Sequence, residues 1–297
     1  MSEVTNPPYA TAASRLGLVQ QTPGHGPTID SLYYYPIKGL SPQRLDAASL
    51  AAGHGFAHDR TYALARADGR YVPGDRQALG KREFHVLMRE PALAGVRSEY
   101  FPDTDTVELR SIPGVDTALP ATGHDGGALL RADLSTAAGR GELTACIATL
   151  LGLPADRQPV FAEEPGRRFP DLLRSDDPAD MQAVSIINLA SIRELARAAG
   201  TEVDPLRFRA NIYIDGLEPF AERDLLGSTL EAGGIQLEVF KEIGRCTATE
   251  VNLESARRDV PVLKTLQEAF GHTNMGIYAH VRTGGTLVPG TAVVLPG

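Results

Sequence analysis

From residue 183 onward the chain is written mostly in short runs of β-branched and apolar residues: AVSIIN, NIYID, IQLEVF, GIYAHV and TLVPGTAVVL. Runs of this length, bounded by Gly, Pro and polar residues, predict strands, the last two joined as a closing hairpin across Thr283 to Gly285. Two helical patterns interrupt them. NLASIRELARAAG has Asn188 placed as N-cap, Ile192, Leu195, Ala196 and Ala199 on one face, and Gly200 as a stop, while PVLKTLQEAFG ends at Gly271. Many strands with few helices favour a barrel-like α+β domain over a doubly wound βαβ sheet.

The first half is also mainly β. TIDSLYYYPIKGL reads as a strand stopped at Pro36, RTYALARADGRYV as two strands around Asp68-Gly69, and VELR and GGALLRADL as short strands. GELTACIATLLGLP reads as a helix closed by Gly152 and Pro154, with Cys146 on its core face. The charged, proline-punctuated stretch FAEEPGRRFPDLLRSDDPADMQ has no period and reads as a linker. The organisation expected is therefore a loose arm over 1–27, a first β domain over 28–160 and a second over 161–297.

Composition narrows the function classes. A formal net charge of -8 gives no global attraction to nucleic acid or an anionic membrane, so an anion site must gather its cations locally. No segment approaches the roughly 18 apolar residues of a membrane span. The N-terminus has no basic start followed by an apolar run, which makes the cytoplasm the expected location. The two cysteines, Cys146 and Cys246, cannot make a four-cysteine zinc or iron–sulfur site. Walker, GxGxxG, HExxH and GxSxG motifs are absent. His54 and His58 are spaced for zinc on a helix, but Gly53 and Gly55 oppose a helix there.

Cys246 follows the strand IQLEVF in FKEIGRCTATEVN. By that stretch alone it is a small core hydrophobe or a ligand at a rim, and burial is the commoner fate of a free cysteine. Four dispersed cations, Lys38, Arg60, Arg209 and Arg245, stand at strand ends or in loops. Each taken singly suits a solvated surface. Together with a loop thiol they suit an anionic, phosphate-bearing cofactor with a thiolate-liking metal.

YPIKG, GHGFAHDRTYAL, RFRANIYIDG, IGRCTATEVN, GIYAHV and GTLVPGTAVVL stand in the order seen in MOSC-domain proteins with an N-terminal MOSC β-barrel domain. The chain resembles the group that includes the mitochondrial amidoxime-reducing component. The resemblance spans residues 29–297 and implies two barrel-like domains with a molybdenum cofactor, a pterin-dithiolene with a terminal phosphate, in the cleft between them. It implies Cys246 as molybdenum ligand and catalytic centre, with Lys38, Arg60, Asp180, Arg209, Asn211, Arg245 and Tyr278 toward the cofactor. The activity implied is reduction of N-hydroxylated or other N-oxygenated compounds, with electrons from a separate ferredoxin or flavoprotein. A cofactor carrier or sulfur-transfer module using Cys246 is the alternative, because the second domain also resembles the C-terminal part of molybdenum cofactor sulfurases. Departures are Gly39 where relatives commonly have Ser, and PGDRQALGKREFHVL where a Thr-x-Arg motif is usual, so that either Lys81 and Arg82 replace that arginine or the local loop differs. Ile243-Gly244-Arg245-Cys246 also stands where relatives often have Cys-x-Arg-Cys.

Overall fold

A computed structural model describes residues 26–75, 79–119, 128–171 and 177–296; nearly all of the expected arm lies outside the described residues. Four strands come first, β1 (Thr28–Tyr34), β2 (Gln43–Leu45), β3 (Ala48–Leu50) and β4 (Tyr62–Ala65). An antiparallel meander follows, β5 (Val96–Phe101), β6 (Thr106–Ser111) and β7 (Ala128–Asp133), with helix α1 (Ala137–Leu150) against it. Strand β8 (Val160–Glu163) returns to pair antiparallel with β4.

The second half supplies β9 (Val184–Asn188), α2 (Leu189–Ala199), β10 (Ile212–Asp215), β11 (Thr229–Ala232) and β12 (Ile235–Gly244). It ends with α3 (Val262–Phe270), β13 (Asn274–Val281), β14 (Gly285–Leu287) and β15 (Val293–Val294). The large sheet runs β15-β11-β12-β13-β9-β10-β1-β2. It curls until β15 and the residues before it meet the start of β1: Ile29 N–H donates to Thr291 O at 2.9 Å and Val293 N–H to Pro27 O at 2.7 Å. The wall of this barrel is completed by β1, a strand from the opposite end of the chain. The fold is thus α+β and mainly β, and one apolar core runs from Leu64 and Leu109 in the first half to Ile186 and Ile277 in the second.

The expected strands AVSIIN, NIYID, IQLEVF and GIYAHV form, and both later helices end where glycine allows a left-handed turn, Gly200 at φ 67° and Gly271 at φ 75°. Four local expectations are corrected. Asp68-Gly69 turns the chain, but no second strand follows. Glu83 instead accepts from the Arg70 backbone at 2.9 Å and from its guanidinium at 3.0 and 3.1 Å, leaving the β4 edge to β8. The closing segments form no hairpin with β13: β14 pairs with β3 and β15 with β11. Thr283 bonds Gln236 N–H at 2.8 Å and Gly234 O at 3.0 Å, which turns the chain away. The stretch read as a linker contains β8 and the buried Arg168 and Phe169. Cys146 is half-buried against the core and not enclosed by it.

One parallel pair sits inside the large sheet, β9 with β10, joined through α2 as a parallel pair requires a long crossover. Asn188 caps that helix by accepting from Ala190 N–H at 3.1 Å and donates from Nδ2 to Glu218 O at 2.8 Å. It is fully buried, so Asn188→Ala removes the cap and strands a carbonyl. We expect a loss of about 1–3 kcal/mol in urea unfolding; an unchanged midpoint would show that the cap contributes nothing.

Candidate functional site

The site is built where β1 ends. Tyr35, fully buried, follows that strand, and the GHGFAHDR loop returns beside it so that Arg60 N–H donates to Tyr35 O at 2.7 Å. Asp59 accepts the Tyr35 N–H at 2.8 Å and Arg60 Nη1 at 2.8 and 2.9 Å, and pairs with Arg168 as well. From the second half, the turn Pro205–Phe208 delivers Arg209, whose Nη1 donates to Leu40 O at 2.7 Å. Both guanidinium groups lie over the Tyr35 ring, Arg60 at 4.5 Å and Arg209 at 4.4 Å from its centroid. Arg60 Nη2 donates to Arg209 O at 2.9 Å and ties the two halves together.

Arg60 and Arg209 both have left-handed backbones, at φ 52° and 53°. Such conformations cost non-glycine residues about 1–3 kcal/mol and persist only where neighbours over-determine them. Here the ring, the carboxylate and the crossing hydrogen bond do so.

Cys246 arrives on another path. Strand β12 changes register against β13 after Val239 and again after Glu242, and such bulges re-aim the residues that follow. Arg245 then turns inward, with Nε donating to Met275 O at 2.7 Å and Nη1 to Phe208 O at 2.9 Å. Gly276, at φ 78°, makes room for it: a Cβ there would stand 3.0 Å from Arg245 Nη2 and 2.6 Å from Ile186 O. The Cys246 carbonyl is pinned by Thr249, whose N–H donates at 3.0 Å and hydroxyl at 2.9 Å. Cys246 lines a cleft between the two halves.

Arg60, Arg209, Asn211, Arg245, Cys246 and Tyr278 line this one cleft. Burial pushes the Tyr278 phenol up to about 12, so it remains an O–H donor. Asn211 accepts from Ser185 N–H at 3.1 Å and Oγ at 2.9 Å and donates to Tyr33 O at 3.2 Å. Lys38 lies behind the wall, its ammonium donating to Phe169 O at 3.1 Å, Pro170 O at 2.7 Å and Asp171 Oδ1 at 2.8 Å. Asp180 is not brought into the cleft; its carboxylate meets His280 Nε2 at 2.9 Å. Lys81 reaches the cleft wall whereas Arg82 is exposed.

Arg168, Asp171 and Arg207 escaped sequence reasoning. The first two lie in the aperiodic stretch, where no pattern reports burial. Arg207 stands two residues before Arg209, but only folding places it against Asp259, at 2.5 and 2.9 Å. Gly39 has a local cause: its φ is 89°, and a Cβ would stand 2.7 Å from His85 O.

Charge is unbalanced in this seam. Lys38, Arg60, Arg168 and Arg209 face the carboxylates of Asp59 and Asp171, while Arg245 has no carboxylate in hydrogen-bond range among the described residues. Two buried donors, Arg209 Nη2 and Arg245 Nη2, have no hydrogen-bond partner among the described residues. Buried polar groups are seldom left so. A cleft with surplus cations, two orphaned guanidinium donors and a thiol fits an anionic ligand that also carries a thiolate-liking metal.

The fold is that of a MOSC-type protein. The MOSC N-terminal beta barrel domain matches residues 26–152 and the MOSC domain residues 175–294, so the chain belongs to the proteins that join these domains in this order. It is 38% identical over 73 residues to a molybdenum cofactor sulfurase of Danio rerio, a match covering 24% of this chain and 8% of that protein. Among solved structures it is similar to the YUAD protein from Bacillus subtilis, at 14% identity and TM-score 0.42, covering 90% of this chain and 93% of the other. YiiM from Geobacillus stearothermophilus is similar at 21% identity and TM-score 0.31, over 38% and 54% of the two chains. The domain pair fits molybdenum cofactor binding or sulfur transfer.

Two outcomes test the geometry. Gly39→Ser is expected to cost about 1–3 kcal/mol in urea unfolding, because a side chain is strained at this φ and its Cβ would meet His85 O. Burial raises the Asp59 carboxyl, but Arg60 and Arg168 outweigh it and hold the folded value below 3.8. Its stabilisation is complete above that unfolded value and lost as pH falls through the lower folded one. Asp59→Asn should therefore lose about 3–5 kcal/mol at neutral pH, with a weaker acid dependence below about pH 4. An Asp59→Asn curve parallel to wild type across pH would refute this role.

Proposed function

We propose that this protein is a molybdenum-cofactor-dependent oxidoreductase that removes N-bound oxygen from N-hydroxylated or N-oxygenated compounds. The observation that carries the reading is the convergence of Cys246 with the unpartnered Arg209 Nη2 and Arg245 Nη2 on one cleft. Cys246 would hold the metal, Arg209 the phosphate end, and Asn211, Arg245 and Tyr278 the body of the cofactor. Among the described residues no group of three His, Cys, Asp or Glu side chains could hold a metal ion, so Cys246 would share its metal with ligands the cofactor brings. When bound, the cofactor supplies two-electron redox chemistry at molybdenum.

The chain's own residues prepare the pocket. Cys246 would meet the metal as a thiolate, and Arg245 precedes it in the chain. Arg245 has no rotational freedom to spend: Met275 O, Phe208 O and the Phe208 ring, 5.2 Å from its guanidinium carbon, fix it. Tyr278 keeps a protonated hydroxyl available at neutral pH for an oxygen-bearing substrate. Electrons come in this reading from a separate ferredoxin or flavoprotein, and the protein works in the cytoplasm. Among the described residues no helix is long and apolar enough to cross a membrane.

The likeness to a molybdenum cofactor sulfurase favours a second reading, in which Cys246 carries sulfur or passes on the cofactor without turnover. Purification from a host that makes the cofactor separates the two. Wild type is expected to carry near-stoichiometric molybdenum by mass spectrometry and to reduce benzamidoxime with dithionite-reduced viologen; Cys246→Ser should lose both. Molybdenum without turnover would support the carrier, and its absence from wild type would sink both readings. Arg209→Ala should lower cofactor retention at least tenfold, and unchanged retention would remove Arg209 from the phosphate end.

A further inference from the structure

Three cations converge on Asp171. Its Oδ1 accepts from Lys38 Nζ at 2.8 Å, and its Oδ2 from Arg60 Nη2 at 3.2 Å, Arg60 Nε at 3.3 Å and Arg209 Nε at 3.4 Å. Lys38, Arg60 and Arg209 are buried, whereas the Asp171 side chain keeps 30% of its surface at the cleft wall. Fixed buried cations around a half-exposed carboxylate make a site for an anion, with the anion contributed by the chain itself.

The carboxylate satisfies this site poorly. It brings one charge to three, and the long contact to Arg209 leaves Arg209 Nη2 without an acceptor. Asp59 relieves only part of the excess: it pairs with Arg60, but also holds Tyr35 N–H and Arg168 and makes no contact with Lys38 or Arg209 among the described residues. A phosphate monoester carries up to two charges and three free oxygens, enough to meet Lys38, Arg60 and both ends of the Arg209 fork.

We propose that Asp171 is a resident competitor, holding the place of a phosphate monoester that must displace its carboxylate to bind. This rests on reading the cleft as a cofactor site and adds a selection rule to it. Free phosphate gains only the three cations and must displace the carboxylate with that gain alone. A ligand also held elsewhere in the cleft, at Cys246 and Tyr278, spreads the same displacement over more contacts. Asp171 thus keeps the cation cluster paired while empty and discriminates against simple anions. Although burial raises the Asp171 carboxyl, Lys38, Arg60 and Arg209 hold it well below the usual range, so it competes as an anion at any physiological pH.

The test is calorimetric titration of the full chain, made in a host without molybdenum cofactor, with inorganic phosphate at constant ionic strength. Asp171→Asn, which keeps the shape and removes the charge, is expected to bind phosphate at least tenfold tighter than wild type. Adding Arg209→Ala should abolish the gain. Equal or weaker binding by Asp171→Asn, or no binding by it, would overturn the proposal. Thermal melting guards against misfolding: Asp171→Asn should melt below wild type in chloride, and phosphate should raise its melting temperature more than that of wild type. A smaller rise would likewise overturn the proposal. Molybdenum content from a cofactor-making host separates the two ideas. Molybdenum in wild type with no phosphate gain in Asp171→Asn sinks the competitor alone, while a phosphate gain with no molybdenum in either protein sinks the cofactor reading and leaves the competitor standing.

Discussion

Tyr35 holds two guanidinium groups over its ring, and those groups come from opposite halves of the chain. Everything at the seam is referred to this contact. Arg60 is held on the first-half side by Asp59, and Arg209 on the second-half side by the turn that precedes β10. The Tyr35 hydroxyl donates to Ala210 O at 3.1 Å, which fixes the ring against the second half as well. Because β1 leads directly into Tyr35 and is itself a wall strand of the second barrel, the ring cannot shift without moving the sheet.

Burying this many charges has a cost that hydrophobic residues of similar volume would avoid. The arrangement limits that cost by pairing. Asp59 accepts from a backbone N–H and two arginines, and Lys38 spends all three ammonium hydrogens on residues 169 to 171. Where pairing stops, at Arg209 Nη2 and Arg245 Nη2, the cleft begins. These two unsatisfied donors thus belong to residues that line the cleft, where a bound anion can offset their burial.

Elements with strong local patterns were legible in the sequence, and those defined by distant partners were not. AVSIIN ending in Asn188, then an apolar face and Gly200, spells strand, cap, helix and stop within 18 residues, and each forms as read. The partner of β4 was not readable, because Asp68-Gly69 carries a hairpin signal while the edge is taken by a strand nearly a hundred residues later. The same limit applies to the site. Arg60, Arg209, Arg245 and Cys246 stand out as cations and a thiol at strand exits. Asp171 and Arg168 lie in a charged stretch whose residues look like any solvated loop, and only the folded seam shows that they face buried charges.

The seam also links binding to folding. Arg60, from the first half, donates to the backbone of Arg209, from the second, and the cleft wall takes residues from both. A ligand that draws on donors from both halves binds only when they are docked, and so stabilises the docked state by mass action. The converse holds for the empty protein, where surplus positive charge at the seam pushes the halves apart. Asp171 acts against that repulsion, since it contacts one cation from each half and the lysine beside them. The same carboxylate that obstructs an anion therefore helps keep the site assembled to receive one. A stronger internal partner would hold the seam better and admit the ligand less readily, and a single half-exposed aspartate at contacts of 2.8–3.4 Å lies between those demands.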